Sequence, residues 1–248
     1  MPRVNLEAHE DIALLQLNSG VTNAISPELV DDLGKALIGI KDQFKGMVLA
    51  GGDKFFCIGL DLPGLLQLGR AEMIDFYVTL NQAVLDLYTL PIPTASAIAG
   101  HATAGGAILA LSTDFRLIAA GRKFIGLNEV KLGVPVPALA DLILRQIVGD
   151  RRATEMVFSG EFLEPEQSLE FSLVDAVVSF EDVEKEAVAK ISALTAVPTR
   201  GLALVKKNRV EAVRSQYDKI RQSDADDFLN CWFDPALQKL LREAAQKF

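Results

Sequence analysis

The segment Ile98 to Asp114, IAGHATAGGAILALSTD, constrains the fold more than any other stretch of this chain. A short apolar run breaks at Gly100, and Gly105-Gly106 directly precedes the apolar segment Ala107 to Leu111. This pattern predicts a buried strand, a turn of small residues and a buried helix. Paired glycines let another group approach the backbone closely. The first four N–H groups of a helix lack intrahelical partners, and the helix dipole favours negative charge beside them. Two readings fit: a turn shaped for an anion or for a carbonyl oxygen gaining charge, or a small-residue turn that serves only helix packing.

The flanking sequence sets that segment in an alternating chain. Val4–Leu6 and Ile12–Leu17 read as strands joined at His9-Glu10-Asp11. Ser26-Pro27-Glu28 starts a helix, because Ser accepts from orphan N–H groups, Pro suits the first position and Glu favours the positive end. Gly46–Ala50, Thr94–Ala99, Phe115–Ala120 and Val174–Val178 read as strands, and Ala71–Leu90 reads as a helix stopped by Pro91 and Pro93. Asp53–Leu62 and Phe124–Pro137 read as loops. Helices are predicted over Ala138–Val148, Arg151–Phe158, Pro165–Phe171, Phe180–Leu194, Thr199–Arg221 and Asp224–Phe248. Alternation over the first 180 or so residues argues for an α/β fold around a mostly parallel sheet. The helical tail is then a second lobe, an oligomer surface or a cover folded over the chain's own site.

Composition narrows the function. The chain has 248 residues, half of them hydrophobic, and a formal net charge of −8. That acidity predicts no nucleic-acid partner. Two cysteines and two histidines provide neither a disulfide framework nor a metal-ligand set, so no metal is expected and a reducing setting fits. No apolar run reaches 18 residues, and the early acids interrupt any signal core. The expectation is a cytoplasmic protein with no membrane partner.

Three pieces could carry chemistry: FFCIGLDL (Phe55–Leu62), HATAGG (His101–Gly106) and GLNEVKLG (Gly126–Gly133). On spacing alone, Glu129 is better explained as a surface-loop or helix-capping acid. Held instead among apolar neighbours, its carboxyl would have a raised pKa and suit a general base, with backbone donors near Gly105 forming an oxyanion hole.

In this order and at these separations the three pieces resemble the crotonase superfamily, the enoyl-CoA hydratases and isomerases. LNSGVTNAIS (Leu17–Ser26) is similar to the family's early LN…NA segment. FFCIGLDL resembles its F-S-x-G-x-D-L loop, with Cys57 where Ser or Ala is more usual. IAGHATAGGAILALSTDFRLIA resembles its Gly-triplet segment, with Ala104 in place of the first glycine. The resemblance implies a crotonase-like (ClpP/crotonase) spiral of ββα units. Residues 1–196 would form the core with the coenzyme A site, and residues 197–248 a C-terminal helical region for oligomerisation and active-site cover. The implied partner is an acyl-CoA thioester, and the implied assembly is a homotrimer or dimer of trimers, with no cofactor beyond coenzyme A itself.

The same resemblance assigns residues. The thioester oxygen would be held by the N–H groups of Leu60 and Gly105. Ile58, Gly59, Leu60, Asp61 and Leu62 would lie along the substrate, with Ala24 near the adenine. Asp61 and Asp114 read as loop-fixing acids, and His101 as packing. Of the two hydratase carboxylates, one position holds Glu129 and the other Ile108. One acid suffices to carry a proton from C2 to C4, so the pattern, with Asn128 before Glu129, resembles mitochondrial-type Δ3,Δ2-enoyl-CoA isomerases of fatty acid β-oxidation. Other readings are a hydratase-like, decarboxylating or thioester-hydrolysing relative, or a non-catalytic acyl-CoA-binding protein. Leu65, Leu66, Phe76, Tyr77 and Leu80 are candidates for the acyl pocket. Lys54, Arg70, Lys206 and Lys207 are candidates for the phosphates, and Phe228, Trp232, Phe233, Leu237, Leu240 and Leu241 for subunit contacts.

Overall fold

A computed structural model describes residues 2–246. The strands are β1 (Val4–His9), β2 (Ile12–Leu17), β3 (Gly46–Ala50), β4 (Phe55–Cys57), β5 (Thr94–Ile98), β6 (His101–Thr103), β7 (Phe115–Ala119), β8 (Ile125–Gly126) and β9 (Ala176–Val178). The helices are α1 (Pro27–Gln43), α2 (Leu62–Leu65), α3 (Arg70–Tyr88), α4 (Gly105–Leu111), α5 (Ala138–Val148), α6 (Asp150–Ser159), α7 (Pro165–Glu170), α8 (Val183–Thr195), α9 (Arg200–Trp232) and α10 (Pro235–Ala245).

Two sheets organise them. The larger runs β1-β2-β3-β5-β7-β9 and is parallel except for the β1–β2 hairpin. The smaller is the parallel sheet β4-β6-β8. The chain spirals: β3-β4-α3, β5-β6-α4 and β7-β8-α5 each place a strand in the large sheet, a strand in the small sheet, and then a helix. This is the α/β spiral of ββα units that the sequence implied. The parallel strands β3 and β5 are buried along their whole length, as expected where both faces of a sheet are covered.

Local chemistry explains the boundaries. Ser26 caps α1 by accepting from the Leu29 N–H, and Leu29, Leu33, Leu37 and Ile40 turn inward at helical spacing. The small-sheet strands replace what the sequence reads as loops at Asp53–Leu62 and Phe124–Pro137. They are two or three residues long, too short to show alternation, and they form by pairing with strands far away in sequence.

The C-terminal helices also depart from expectation. The break expected near residues 222–223 is absent, and α9 continues for 33 residues to Trp232. Its inward residues Val210, Val213, Tyr217, Phe228, Leu229 and Trp232 keep one face against the core. The true break is Asp234-Pro235. The Asp234 side chain accepts from the Ala236 and Leu237 N–H groups, and Pro235 begins α10. The apolar set expected at a subunit contact is largely consumed by its own chain: Phe228, Trp232, Leu237 and Leu241 are buried in the main core cluster, whereas Leu240 is exposed. Amphipathic α10 buries that face intramolecularly, so these residues need no second subunit to cover them.

Asp224 ties this tail to the core. One carboxylate oxygen accepts from the Tyr77 hydroxyl at 2.9 Å, the other from the Ala138 N–H at 2.9 Å. Asp224→Ala strands both donors, at about 1–3 kcal/mol for an unsatisfied buried group. A urea unfolding curve should show a loss of that order, and an unchanged midpoint would mean that water replaces the carboxylate.

Candidate active site

The C-terminal ends of the three small-sheet strands converge. From β4 the chain reaches Ile58, Gly59 and Leu60, from β6 it reaches Ala104 and Gly105, and from β8 it reaches Asn128 and Glu129. Beyond these ends lies a cavity of about 610 Å³. Its wall includes Ile58, Leu60, Leu62, Gly105, Ile108 and Glu129, with α9 and α10 closing the far side through Phe228, Trp232, Leu241 and Ala244.

Two close approaches bring the loops together. Gly59, at φ +99°, lies so near the end of β6 that an added Cβ would sit 3.1 Å from the Gly105 nitrogen and 2.9 Å from the Ala104 methyl. Gly106 packs on the Cys57 carbonyl, where an added Cβ would come within 1.9 Å of the oxygen. Only glycine fits there, so Gly106 is a steric requirement of packing α4 on β4. Ala104 adopts φ 49° and ψ −125°, backbone space that glycine favours. Such a conformation costs about 1–3 kcal/mol and persists only where surrounding packing enforces it. Among the described residues, neither the Leu60 nor the Gly105 N–H donates to a protein acceptor. Two backbone donors thus stand free on the wall of one cavity.

Glu129 opens a one-turn 3-10 helix, Glu129–Leu132, and is 8 % exposed. Its Oε2 has no hydrogen-bond partner. Burial pushes its carboxyl up to about 7 against the smaller, lowering effect of a backbone hydrogen bond. The loop or cap reading therefore gives way to a buried carboxyl on an apolar wall. It is the only carboxylate among the residues lining the cavity; Ile108, on α4, lines it too.

The structure sorts the remaining assignments. Ala24, Gly59 and Asp61 do not line the cavity. Ala24 is half-buried, and its carbonyl accepts from Ser19 Oγ. Gly59 backs Gly105, and Asp61 caps α2 by accepting from the Gly64 N–H at 3.5 Å. Asp61 is thus the loop-fixing acid expected. Asp114 is another, accepting from the Thr94 N–H at 2.8 Å and from Lys206 Nζ at 2.7 Å. Lys206 is 6 % exposed and also donates to the Ile92 carbonyl, so from its own chain it cannot meet a phosphate. Arg70 donates to Asn230 Oδ1. Lys54 lines the cavity. His101 packs as read, stacked on Phe124 with its Nδ1 accepting from the Phe124 N–H.

Of the acyl-pocket candidates, Tyr77 and Leu80 line the cavity, whereas Leu65, Leu66 and Phe76 are buried away from it. Phe228, Trp232 and Leu241, which the sequence offers as candidates for subunit contacts, instead form part of the α9–α10 wall of the cavity. Asp234-Pro235 was the signal available: it starts a short apolar-faced helix and turns the chain back toward the core.

A family model for enoyl-CoA hydratase/isomerase matches residues 7–239. The chain belongs to the enoyl-CoA hydratase/isomerase family. Within that family it is 28% identical over 243 residues to the mitochondrial enoyl-CoA delta isomerase 1 of Homo sapiens, covering 96% of this chain and 80% of that protein. It is 32% identical over 204 residues to a probable enoyl-CoA hydratase of Mycobacterium avium (strain 104), covering 82% of this chain and 79% of the relative. The crystal structure of human mitochondrial delta3-delta2-enoyl-CoA isomerase superposes with a TM-score of 0.95 at 27% identity, covering 99% of this chain and 97% of that one. Relatives of comparable identity thus bear isomerase and hydratase names, and the choice between the two activities falls to the site of this enoyl-CoA hydratase/isomerase family member.

Proposed function

We propose that this chain is a Δ3,Δ2-enoyl-CoA isomerase that works with one carboxylate base. The observation that carries this reading is the pairing of Glu129, the one carboxylate on the cavity wall and without a partner at Oε2, with Ile108. Activating water for addition across a double bond calls for a second acid. Moving one proton between two carbons calls for a single group that reaches both.

The 3-enoyl thioester places its carbonyl oxygen between the Leu60 and Gly105 N–H groups. The Glu129 carboxylate takes a proton from C2, and the electron pair delocalises over C2 to C4 and the thioester oxygen. The two backbone donors hold that oxygen as it gains charge, the interaction that typically dominates such catalysis. Glu129 then delivers the proton to C4, leaving the double bond between C2 and C3. Only a proton moves, so the scheme needs no redox group or metal beyond the coenzyme A that carries the acyl chain. The largely apolar wall suits an acyl chain, and the superposition with a solved isomerase supports the same reading.

The test is the conversion of 3-hexenoyl-CoA. The expected product is trans-2-hexenoyl-CoA, followed by the absorbance of the conjugated thioester and by mass spectrometry. A product 18 Da heavier would assign hydration instead. Binding without turnover would make the protein an acyl-CoA carrier.

A further inference from the structure

Helix α10 lies on the turn that carries Glu129. Leu237, in the first turn of α10, sits on Gly133, which ends the Glu129–Leu132 turn at φ +74°. A Cβ added at Gly133 would come within 2.8 Å of Leu237 Cδ1. Further along the helix, Leu241 and Ala244 share the cavity wall with Glu129, Leu132 and Val134. Leu237 and Leu241 are buried, whereas Leu240 is 49 % exposed. One apolar face of α10 is thus turned to the Glu129 turn and the other side to solvent.

That face is held by packing alone. Among the described residues, no hydrogen bond or salt bridge joins α10 to Glu129–Leu132 or to Gly133. At its start, α10 is fixed to its own corner: Asp234 accepts from the Ala236 and Leu237 N–H groups, and Gln238 donates to the Trp232 carbonyl. The turn has its own backbone bonds. The Lys131 N–H donates to the Asn128 carbonyl, Gly133 to Val130, and Val134 to Glu129. Its shape therefore does not depend on α10, and what the helix adds is cover.

Neighbouring charge does not explain the environment of Glu129. On its own turn, Lys131 pairs with Glu161. The charged groups of α10 are Lys239, Arg242 and Glu243, and those of α6, the other helix against this turn, are Asp150, Arg151, Arg152 and Glu155. Lys54 is the one other charged side chain on the cavity wall. None of them shifts the Glu129 carboxyl, on which burial and one backbone hydrogen bond act.

We infer that Leu237 is a positioning residue for Glu129: by seating α10 on the Gly133 turn it keeps water from the carboxyl and so sets the pH at which that group becomes a base. The inference rests on the reading of Glu129 as the base of the reaction. Leu237 does not line the cavity, so its effect on the substrate passes through the turn it covers.

The experiment is the pH profile of kcat/KM in Leu237→Ala, which opens space for water between α10 and Gly133. Hydration favours the ionised carboxyl, so the rise in rate should move down by about one pH unit, toward the ordinary carboxylate range. Leu237→Met refills the space and should keep the wild-type midpoint. Leu240→Ala, on the exposed side of the same helix, should keep it too. Should Leu237→Ala fail to fold, Leu237→Val makes a smaller void, and a smaller shift in the same direction is expected. A second reading needs no turnover: the infrared absorption of the protonated carboxyl, taken as the difference from Glu129→Gln, should titrate about one pH unit lower in Leu237→Ala than in wild type. A rate lowered equally at every pH with an unmoved infrared midpoint would assign Leu237 to packing only and overturn the inference. A midpoint that moves as far in Leu240→Ala would overturn it as well. A moved infrared midpoint in a protein that does not isomerise 3-hexenoyl-CoA would remove the proposed reaction and leave the cover over Glu129 standing.

Discussion

Glu129→Gln is expected to lower isomerase turnover about 100- to 10,000-fold, the range associated with a positioned acid–base group. The amide keeps the shape of the carboxyl but cannot take the C2 proton. Affinity for the CoA ester should change little, because in the proposed pose the thioester oxygen meets the Leu60 and Gly105 backbone and the acyl chain meets the apolar residues of the wall. The pH profile gives an independent reading. Glu129 acts as a base only when ionised, and burial puts that ionisation at about 7. Wild-type kcat/KM should therefore rise through neutral pH and level off above it. The residual rate of the Gln variant should not follow that curve. Near-wild-type turnover by the variant, purified free of host isomerases, would sink the single-base mechanism.

The same substitution should stabilise the protein above neutral pH. In the unfolded chain Glu129 ionises near 4.5, and in the folded chain near 7. Between those values the folded state binds more protons than the unfolded state, so stability falls as pH rises through that window. The group's contribution is intact below about 4.5 and lost above about 7. At roughly 1.4 kcal/mol per pH unit the loss amounts to about 3 kcal/mol. Glutamine escapes it because it stays neutral. Its side chain also breaks no existing bond at Oε2, which has no partner. We expect the variant to exceed wild type by about 1–3 kcal/mol at pH 8 and to match it near pH 4.5, as read from denaturant unfolding at both values. Equal stability at pH 8 would mean that the carboxylate is solvated or paired, and its fitness as a neutral-pH base would go with that. Gain of stability with loss of rate is the behaviour of a site that keeps an unfavourable buried acid for its chemistry.

The fold was legible wherever a physical signal lay within a few residues. Ser26-Pro27-Glu28 states its own helix start, since cap, ring and dipole partner are all local. The same logic applied at Asp234-Pro235 marks the true start of α10, yet by sequence the weaker polar stretch near residues 222–223 reads as the break. That stretch carries no glycine or proline, and packing of Ala225, Phe228 and Trp232 against the core holds α9 together through it. The small sheet lay beyond local reading. Its strands exist because the spiral stacks Phe55–Cys57, His101–Thr103 and Ile125–Gly126 side by side, and no single strand has the length to declare itself.

By itself the sequence determined the identities at the reaction centre: one acid at Glu129, an apolar Ile108 and small residues around Gly105. These are chemical facts of composition and order, and the proposed one-base reaction starts from them. Tertiary structure decided what those residues experience. The Glu129 carboxyl is raised to about 7 by burial where strand ends from three turns of the spiral and the helices α9 and α10 come together around the cavity. Trp232 and Leu241 wall the cavity, and need no partner subunit, because Asp234-Pro235 turns α10 back over the core. Burial and proximity are sums over contacts distant in sequence, so the spacing of residues along the chain does not encode them.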